Sequence, residues 1–246
     1  MTSAPIIHRV DRCRSTNDLA SRLAGEGAPE WTVVVAAEQT AGRGSKGRDW
    51  YSARGKGLYV SVLLRPRPAE LSLLPLIAGL AARDAIERVH GLRIQLGWPN
   101  DLIWGKKKLG GILCQSVFLG DRPDFTIIGI GLNLDHEECD FPQDIRPLAT
   151  SVRIALKKTG DPEVLLETLL QSLTNWYDVF CRGETEMIVR SFEAHSAIQK
   201  GERIQALINE RLFSGVYQGL DSDGSLVFED QSGRRALRSA EVTRML

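Results

Sequence analysis

The chain has 246 residues, 43% hydrophobic and 25% charged, the proportions of an ordinary globular protein long enough to bury a core without disulfide or metal staples. Its 31 basic and 31 acidic side chains balance, which argues against a protein that coats nucleic acid and leaves room only for a local basic patch. The N-terminus lacks the apolar run of a signal peptide, and no stretch approaches the ~20 apolar residues that span a bilayer. Cys13, Cys114, Cys139 and Cys181 are scattered with no Cys-x-x-Cys pair, so free thiols in a cytoplasmic protein are expected.

Ser15-Thr16-Asn17-Asp18 ahead of LASRLAGEG reads as a helix N-cap followed by a short amphipathic helix that stops at Gly25 and Gly27. Residues 31–39, WTVVVAAEQ, are β-branched and nearly continuously apolar, which predicts a buried strand. The segment 42-GRGSKGR-48 follows. Gly42, Gly44 and Gly47 have the spacing of a dinucleotide-binding loop, but the next element, 57-GLYVSVLLRP-66, is a strand where that loop needs a helix. A Walker A loop fails because Arg48-Asp49 stand in place of Lys-Ser/Thr, and a kinase loop fails because the chain has no His-Arg-Asp or Asp-Phe-Gly. Two readings remain: an anion cradle in which backbone amides approach the ligand while Arg43, Lys46 and Arg48 supply charge, or a solvated basic turn.

Residues 70–91 carry a wide apolar helical face ended by Gly91, and strand-like runs follow at 92–98, 109–118 and 125–134. Pro99, in Trp98-Pro99-Asn100-Asp101, interrupts a strand ladder and leaves Asn100 and Asp101 at its end, where an Asx turn is the plain alternative. A hairpin carrying Lys106, Lys107 and Lys108 brings cations towards that carboxylate, and Gly110-Gly111 come directly after it. In 129-GIGLNL-134 two glycines offer close backbone approach and Asn133 a polar tip. The run 135-DHEECDFPQDIRPLATSV-152 reads as a long irregular loop of the kind that forms lids. Its His136 and Cys139 are two soft donors where a zinc site needs more, so a solvated acidic loop is expected. Helices are predicted at 162–182 and 184–196. From Gly201 the texture changes to short alternating strands, with turns at Asn209-Glu210, Ser222-Asp223-Gly224 and Gln231-Ser232-Gly233, which predicts a small barrel or sandwich. The expected domains are 1–199 and 200–246.

Ser15-Thr16-Asn17, the Gly-Arg-Gly loop with Gln39 ahead of it and Trp50 behind, Trp-Pro-Asn-Asp-Leu, Lys-Leu-Gly-Gly-Ile-Leu and Gly-Ile-Gly-Leu-Asn occur together and in this order. In these five motifs the chain resembles the biotin–protein ligases, in the short form without an N-terminal DNA-binding domain, since 14 residues precede Ser15. The resemblance implies an α+β fold: a mixed β-sheet with packed helices, related to class II aminoacyl-tRNA synthetases and lipoate ligases, plus a small C-terminal SH3-like β-barrel. It implies that biotin and ATP, with Mg²⁺, give biotinyl-5′-AMP and pyrophosphate, and that a lysine of a biotin carboxyl carrier protein then takes the biotin and releases AMP. The implied partner is the carrier of acetyl-CoA carboxylase or of another biotin-dependent carboxylase. No sequence-specific DNA binding and no membrane contact are expected, and the family's habits admit a monomer or a homodimer.

By the same resemblance Ser15, Thr16, Asn17 and Gln39 bond the ureido ring of biotin, while Arg43, Gly44, Ser45, Gly110 and Gly111 complete that pocket. Lys108 contacts both the biotin carboxylate and the α-phosphate. Arg43, Lys46 and Arg48 neutralise phosphates, and Trp50, Asn100, Asp101 and Asn133 line the nucleotide side. Asp101 is the candidate Mg²⁺ ligand and a candidate base for the incoming lysine. Two positions depart from the family pattern: Ser45 stands where a second arginine is common, which implies weaker adenylate retention, and Gly97 stands where a lysine is common, which implies one cation fewer for ATP. A lipoate- or octanoate-protein ligase shares the fold and is the nearest rival. A nucleic-acid-binding module built on the basic loop and barrel is the rival from another class.

Overall fold

The computed structural model describes residues 4–66, 71–208, 211–238 and 240–244. Seven strands form one sheet: β1 (Ile6–Cys13), β2 (Thr32–Gln39), β3 (Gly57–Leu64), β4 (Gln95–Gly97), β5 (Asp101–Trp104), β6 (Lys107–Leu119) and β7 (Arg122–Asn133). Their order is β1-β2-β3-β7-β6-β5-β4. Only β1 and β2 pair in parallel, because helix α1 (Thr16–Gly25) carries the chain back between them; the remaining neighbours are antiparallel. The sheet is therefore mixed, as expected. Two of its strands escaped the sequence reading: β1, an edge strand with mostly exposed side chains, and β5, only four residues long. The predicted 92–98 strand is real only at Gln95–Gly97.

One face of the sheet is covered by α2 (Leu74–His90) and α4 (Pro162–Cys181), with α5 (Thr185–Ala194) packed against both. Val33, Leu58, Val60, Ile128, Ile130, Leu132 and Ile112 alternate onto this face and meet Leu76, Ile77, Leu80, Leu166, Leu169 and Leu173 in the main core. Gly91 ends α2 in the left-handed conformation (φ 66°), the C-cap that the sequence indicates. The opposite face is only half covered. There α1 lays Ala20 and Ala24 on Val34, Leu63, Phe125 and Ile127, and the rest of the face is left for the cleft described below.

The C-terminal strands β8 (Arg203–Ile208), β9 (Arg211–Leu220), β10 (Leu226–Asp230), β11 (Gly233–Leu237) and β12 (Glu241–Arg244) form an antiparallel sheet ordered β11-β10-β9-β8-β12, the small SH3-like barrel. The predicted turn at Asn209-Glu210 lies outside the described residues. Trp98 Nε1 donates to the Gly224 carbonyl at 2.8 Å, Leu220 N donates to Glu193 at 2.7 Å, and Ile204, Tyr217 and Phe228 share the main core.

Candidate active site

Register builds the floor of the cleft. Ser61 of β3, Gly129 of β7 and Leu113 of β6 lie abreast, and so do Tyr59, Gly131, Gly111 and Asp101 one pleat further on. These residues share the half-covered face, so three glycines open a trough in it. Two of the openings are filled by the chain itself. A Cβ on Gly129 would lie 2.2 Å from Asn17 Oδ1, and one on Gly131 would lie 2.5 Å from Trp50 Nε1. The Gly-Ile-Gly run thus admits the Asn17 amide and the Trp50 indole, which corrects the expectation that it is open for a ligand. Gly111 stays on the cleft, beneath Trp50 and Lys108. Gly110 faces away: a Cβ there would meet Leu132 and Leu102 at 2.8 and 2.9 Å, so it serves core packing rather than ligand access.

A β-bulge aims Lys108. Leu102 pairs with Gly110 and Ile103 with Lys108, so Leu109 is the extra residue on β6. The bulge reverses the alternation, sending Leu109 into the core and Lys108 to the cleft face. Lys108 Nζ lies 2.6 Å from Asp101 Oδ1 and 5.6 Å from the centre of the Trp50 ring. The hairpin therefore brings a lysine to the carboxylate, as its sequence indicates. Asn100 is held by its neighbour strand, donating from Nδ2 to the Ile112 carbonyl at 2.8 Å.

At the deep end, the backbone N–H and hydroxyl of Thr16 donate to Gln39 Oε1 at 2.8 and 3.0 Å, and Gln39 Nε2 donates to Ser52 at 2.8 Å. Asn17 Oδ1 accepts from Ser61 at 2.6 Å, and its Nδ2 donates to Gln115 Oε1 at 2.7 Å and the Leu113 carbonyl at 3.3 Å. Both ends of that amide are engaged by the chain, so Asn17 is held in place with both N–H groups used and one Oδ1 lone pair left towards the cleft it lines. Ser15 occupies the N-cap position of α1 but makes no side-chain capping bond, and it lines the pocket. Simple capping does not explain it.

The loop 42–48 bends over this floor. Lys46 takes the left-handed conformation (φ 58°), Gly44 N bonds the Arg48 carbonyl at 2.7 Å, and Ser45 Oγ accepts from Arg48 at 3.3 Å. Arg43 forms an ion pair with Asp18 in the first turn of α1. Three connected clefts result. The first is lined by Ser15, Thr16, Gln39, Arg43, Trp50 and Lys108. The second shares Gly44, Ser45, Trp50 and Lys108 with it and extends to Asn133, Phe141, Ile145 and Leu148. The third runs past Lys46, Arg48, Asn100 and Asp101 to Arg238 and Val242 of the barrel. Every predicted site residue except Gly110 lines one of the three. A side chain at Gly97 would meet Ile103 at 2.7 Å, so the glycine fits the packing of β5.

The segment 135–152 is tied down rather than free. Lys56 pairs with Asp140 at 2.9 Å, Arg153 with Asp135 and Glu137 at 3.1 and 2.7 Å, and the backbone of Lys108 bonds Leu148 and Thr150. His136 is fully buried and stacked on Phe141 at 4.7 Å. Burial holds its pKa down at about 4. The expected solvated acidic loop is thus built on a buried histidine, while Cys139 is exposed; among the described residues no three His, Cys, Asp or Glu side chains converge as metal ligands.

A cleft with a polar deep end, a lysine at its waist and a glycine-rich basic loop over both lobes, on a mixed sheet with a small barrel, defines the class of ligases that activate a carboxylate with a nucleotide. The family model described as "Biotin/lipoate A/B protein ligase family" matches residues 10–133, and the chain belongs to that family. The Bacillus spizizenii "Bifunctional ligase/repressor BirA" is 35% identical over 235 residues, 94% of this chain and 72% of that one. The Paracoccus denitrificans "Biotin--[acetyl-CoA-carboxylase] ligase" is 32% identical over 94% of this chain and 97% of its own length. Among solved structures, the biotin protein ligase from Aquifex aeolicus in complex with biotin and ATP superposes with a TM-score of 0.84 at 28% identity, over 98% of this chain and 99% of that one.

Proposed function

We propose that this chain ligates biotin to a lysine of a carrier protein, using ATP and passing through biotinyl-5′-AMP. The observation that carries the reading is the position of Lys108, on the wall common to the polar first cleft and the more apolar second cleft. Biotin lies in the first, its ureido head among Ser15, Thr16 and Gln39; the adenine lies in the second, beside Asn133 and Phe141. A carboxylate must then approach a triphosphate, and the step needs cations between them more than it needs a protein nucleophile. Lys108 is that cation. Asp101 Oδ1 lies 2.6 Å from its Nζ, and substrate oxygens replace that contact on binding.

A biotin carboxylate oxygen bonds to the α-phosphorus as the bond to pyrophosphate breaks. The lysine amine of the carrier, having lost a proton, then attacks the acyl carbon, and AMP leaves with the bonding electrons of the anhydride. Arg43 and Ser45 flank the anhydride, and Lys46, Arg48 and Arg238 make the third cleft basic enough for the β- and γ-phosphates and, after they leave, open for the incoming lysine. Mg²⁺ supplies charge neutralisation on the phosphates when bound. Among the described residues no cage of side chains converges for it, but the single carboxylate of Asp101 on the third cleft suits an ion that arrives on a nucleotide. Residues 1–199 form the catalytic domain in this reading and 200–246 the barrel domain that closes the third cleft. The carrier is the biotin carrier of acetyl-CoA carboxylase or of another biotin-dependent carboxylase.

The test is transfer itself. Incubation with such a carrier domain, ATP and Mg²⁺ should give one biotinyl-lysine by mass spectrometry, dependent on biotin and ATP. Transfer of lipoate or octanoate in preference to biotin would keep the fold and overturn the substrate.

A further inference from the structure

Ser61 is an anomaly of its strand. It is fully buried in the middle of β3, between Val60 and Val62, and a hydroxyl in such a place costs stability unless it is paired. Its single proton is shared between Asn17 Oδ1 at 2.6 Å and Thr16 Oγ1 at 2.8 Å, the two consecutive side chains that enter the deep end of the first cleft. Asn17 is gripped from its other end by Gln115 on β6, and Thr16 passes the constraint on to Gln39, whose carbonyl oxygen takes two bonds from it.

We infer that Ser61 and Gln115 are positioning residues that fix the hydrogen-bonding pattern presented to the ureido head of the substrate; the inference rests on the biotin reading given above. With the Gln39 oxygen occupied by Thr16 and one N–H bound to Ser52, the amide cannot flip, and its second N–H remains as a donor to the cleft. Thr16 Oγ1, donating to Gln39, keeps acceptor capacity, and Ser15 stands beside it. A fixed donor beside fixed acceptors suits a cyclic urea, which offers one carbonyl and two N–H groups, and suits neither a dithiolane ring nor an alkyl end. Ser61 and Gln115 touch no reacting atom. They act through Thr16, Gln39 and the flat Asn17 amide, which Gly129 alone allows to lie on the sheet.

Two substitutions remove the constraint from opposite ends: Ser61→Ala in the buried strand, and Gln115→Leu at an exposed position where folding is not at stake. The readout is biotin-dependent exchange of pyrophosphate into ATP, with KM for biotin, KM for ATP and kcat determined separately, and thermal unfolding recorded alongside. KM for biotin should rise about tenfold for Ser61→Ala and several-fold for Gln115→Leu, with kcat and KM for ATP within about twofold of the natural chain. Gln115→Glu keeps an oxygen acceptor for Asn17 and should restore the KM for biotin. An unchanged KM for biotin in both Ser61→Ala and Gln115→Leu, or equal losses in biotin KM, ATP KM and kcat, would overturn the inference while leaving the ligase intact. Absence of biotin-dependent exchange in the natural chain would overturn the biotin reading itself, and the inference with it.

Discussion

Acidification from pH 7.5 to 5 should weaken this fold through His136, whose ring is fully buried against Phe141. Burial lowers its pKa from about 6.5 to about 4, assisted by Lys56, against the opposing pull of Asp140 and Asp135. The folded value lies below the unfolded one, so between them the unfolded chain binds more protons. The stabilisation is complete above pH 6.5 and is lost as the pH falls towards 4. Integrated between pH 7.5 and 5, this single group accounts for about 2 kcal/mol, and for about 3 kcal/mol in the limit. For a chain of this size 2 kcal/mol corresponds to roughly 4–8 °C in Tm. The assay is thermal or urea unfolding as a function of pH for the natural chain and for His136→Phe, which preserves an aromatic stack and cannot titrate. His90 and His195 are also held below their ordinary values by burial and leave a residual slope in both proteins, so the difference between the two curves isolates His136. Because Leu148 and Thr150 of the same segment bond the backbone of Lys108, KM for ATP should rise over the same pH range in the natural chain. Identical pH slopes for the two proteins would refute the reasoning.

Three further outcomes are expected. Lys108→Ala should slow adenylate formation by roughly a hundredfold or more while changing biotin affinity much less, because its charge is needed where phosphate and carboxylate meet; single-turnover formation of the adenylate checks this. Gly129→Ala puts a Cβ 2.2 Å from Asn17 Oδ1 and should expel that amide, weakening biotin binding at least tenfold by calorimetry. Ser45→Arg, which adds a cation at a residue where all three clefts meet, should slow release of the biotinyl-adenylate, measured as the off-rate of the isolated complex.

The parts of this site that the sequence announces are those whose physics is local. Gly42 to Arg48 are legible because glycines between cations have few other uses, and Trp98 to Asp101 because proline marks where a strand must end. Helices α2 and α4 are legible from their apolar period, and the barrel from its spaced turns. What is hidden depends on pairing across the sheet. The bulge that turns Lys108 to the cleft exists only in the register of β5 with β6, and no pattern in KKKLGG reveals it. Gly129 and Gly131 look like ligand approaches until Asn17 and Trp50, distant in sequence, are found lying on them. Ser61 reads as an ordinary strand serine, and only the α1 residues above it give it a task. The edge strand β1 is missed because an exposed strand carries no apolar alternation to read, and the pinned segment 135–152 because its anchors, Lys56 and Arg153, lie outside it or at its border.

The most direct test of the account is pyrophosphate exchange into ATP with Mg²⁺, run in parallel with biotin, with lipoate and with no acid. The account predicts exchange that requires biotin and collapses in Lys108→Ala. Exchange supported equally by lipoate, or the absence of exchange with either acid, would contradict it.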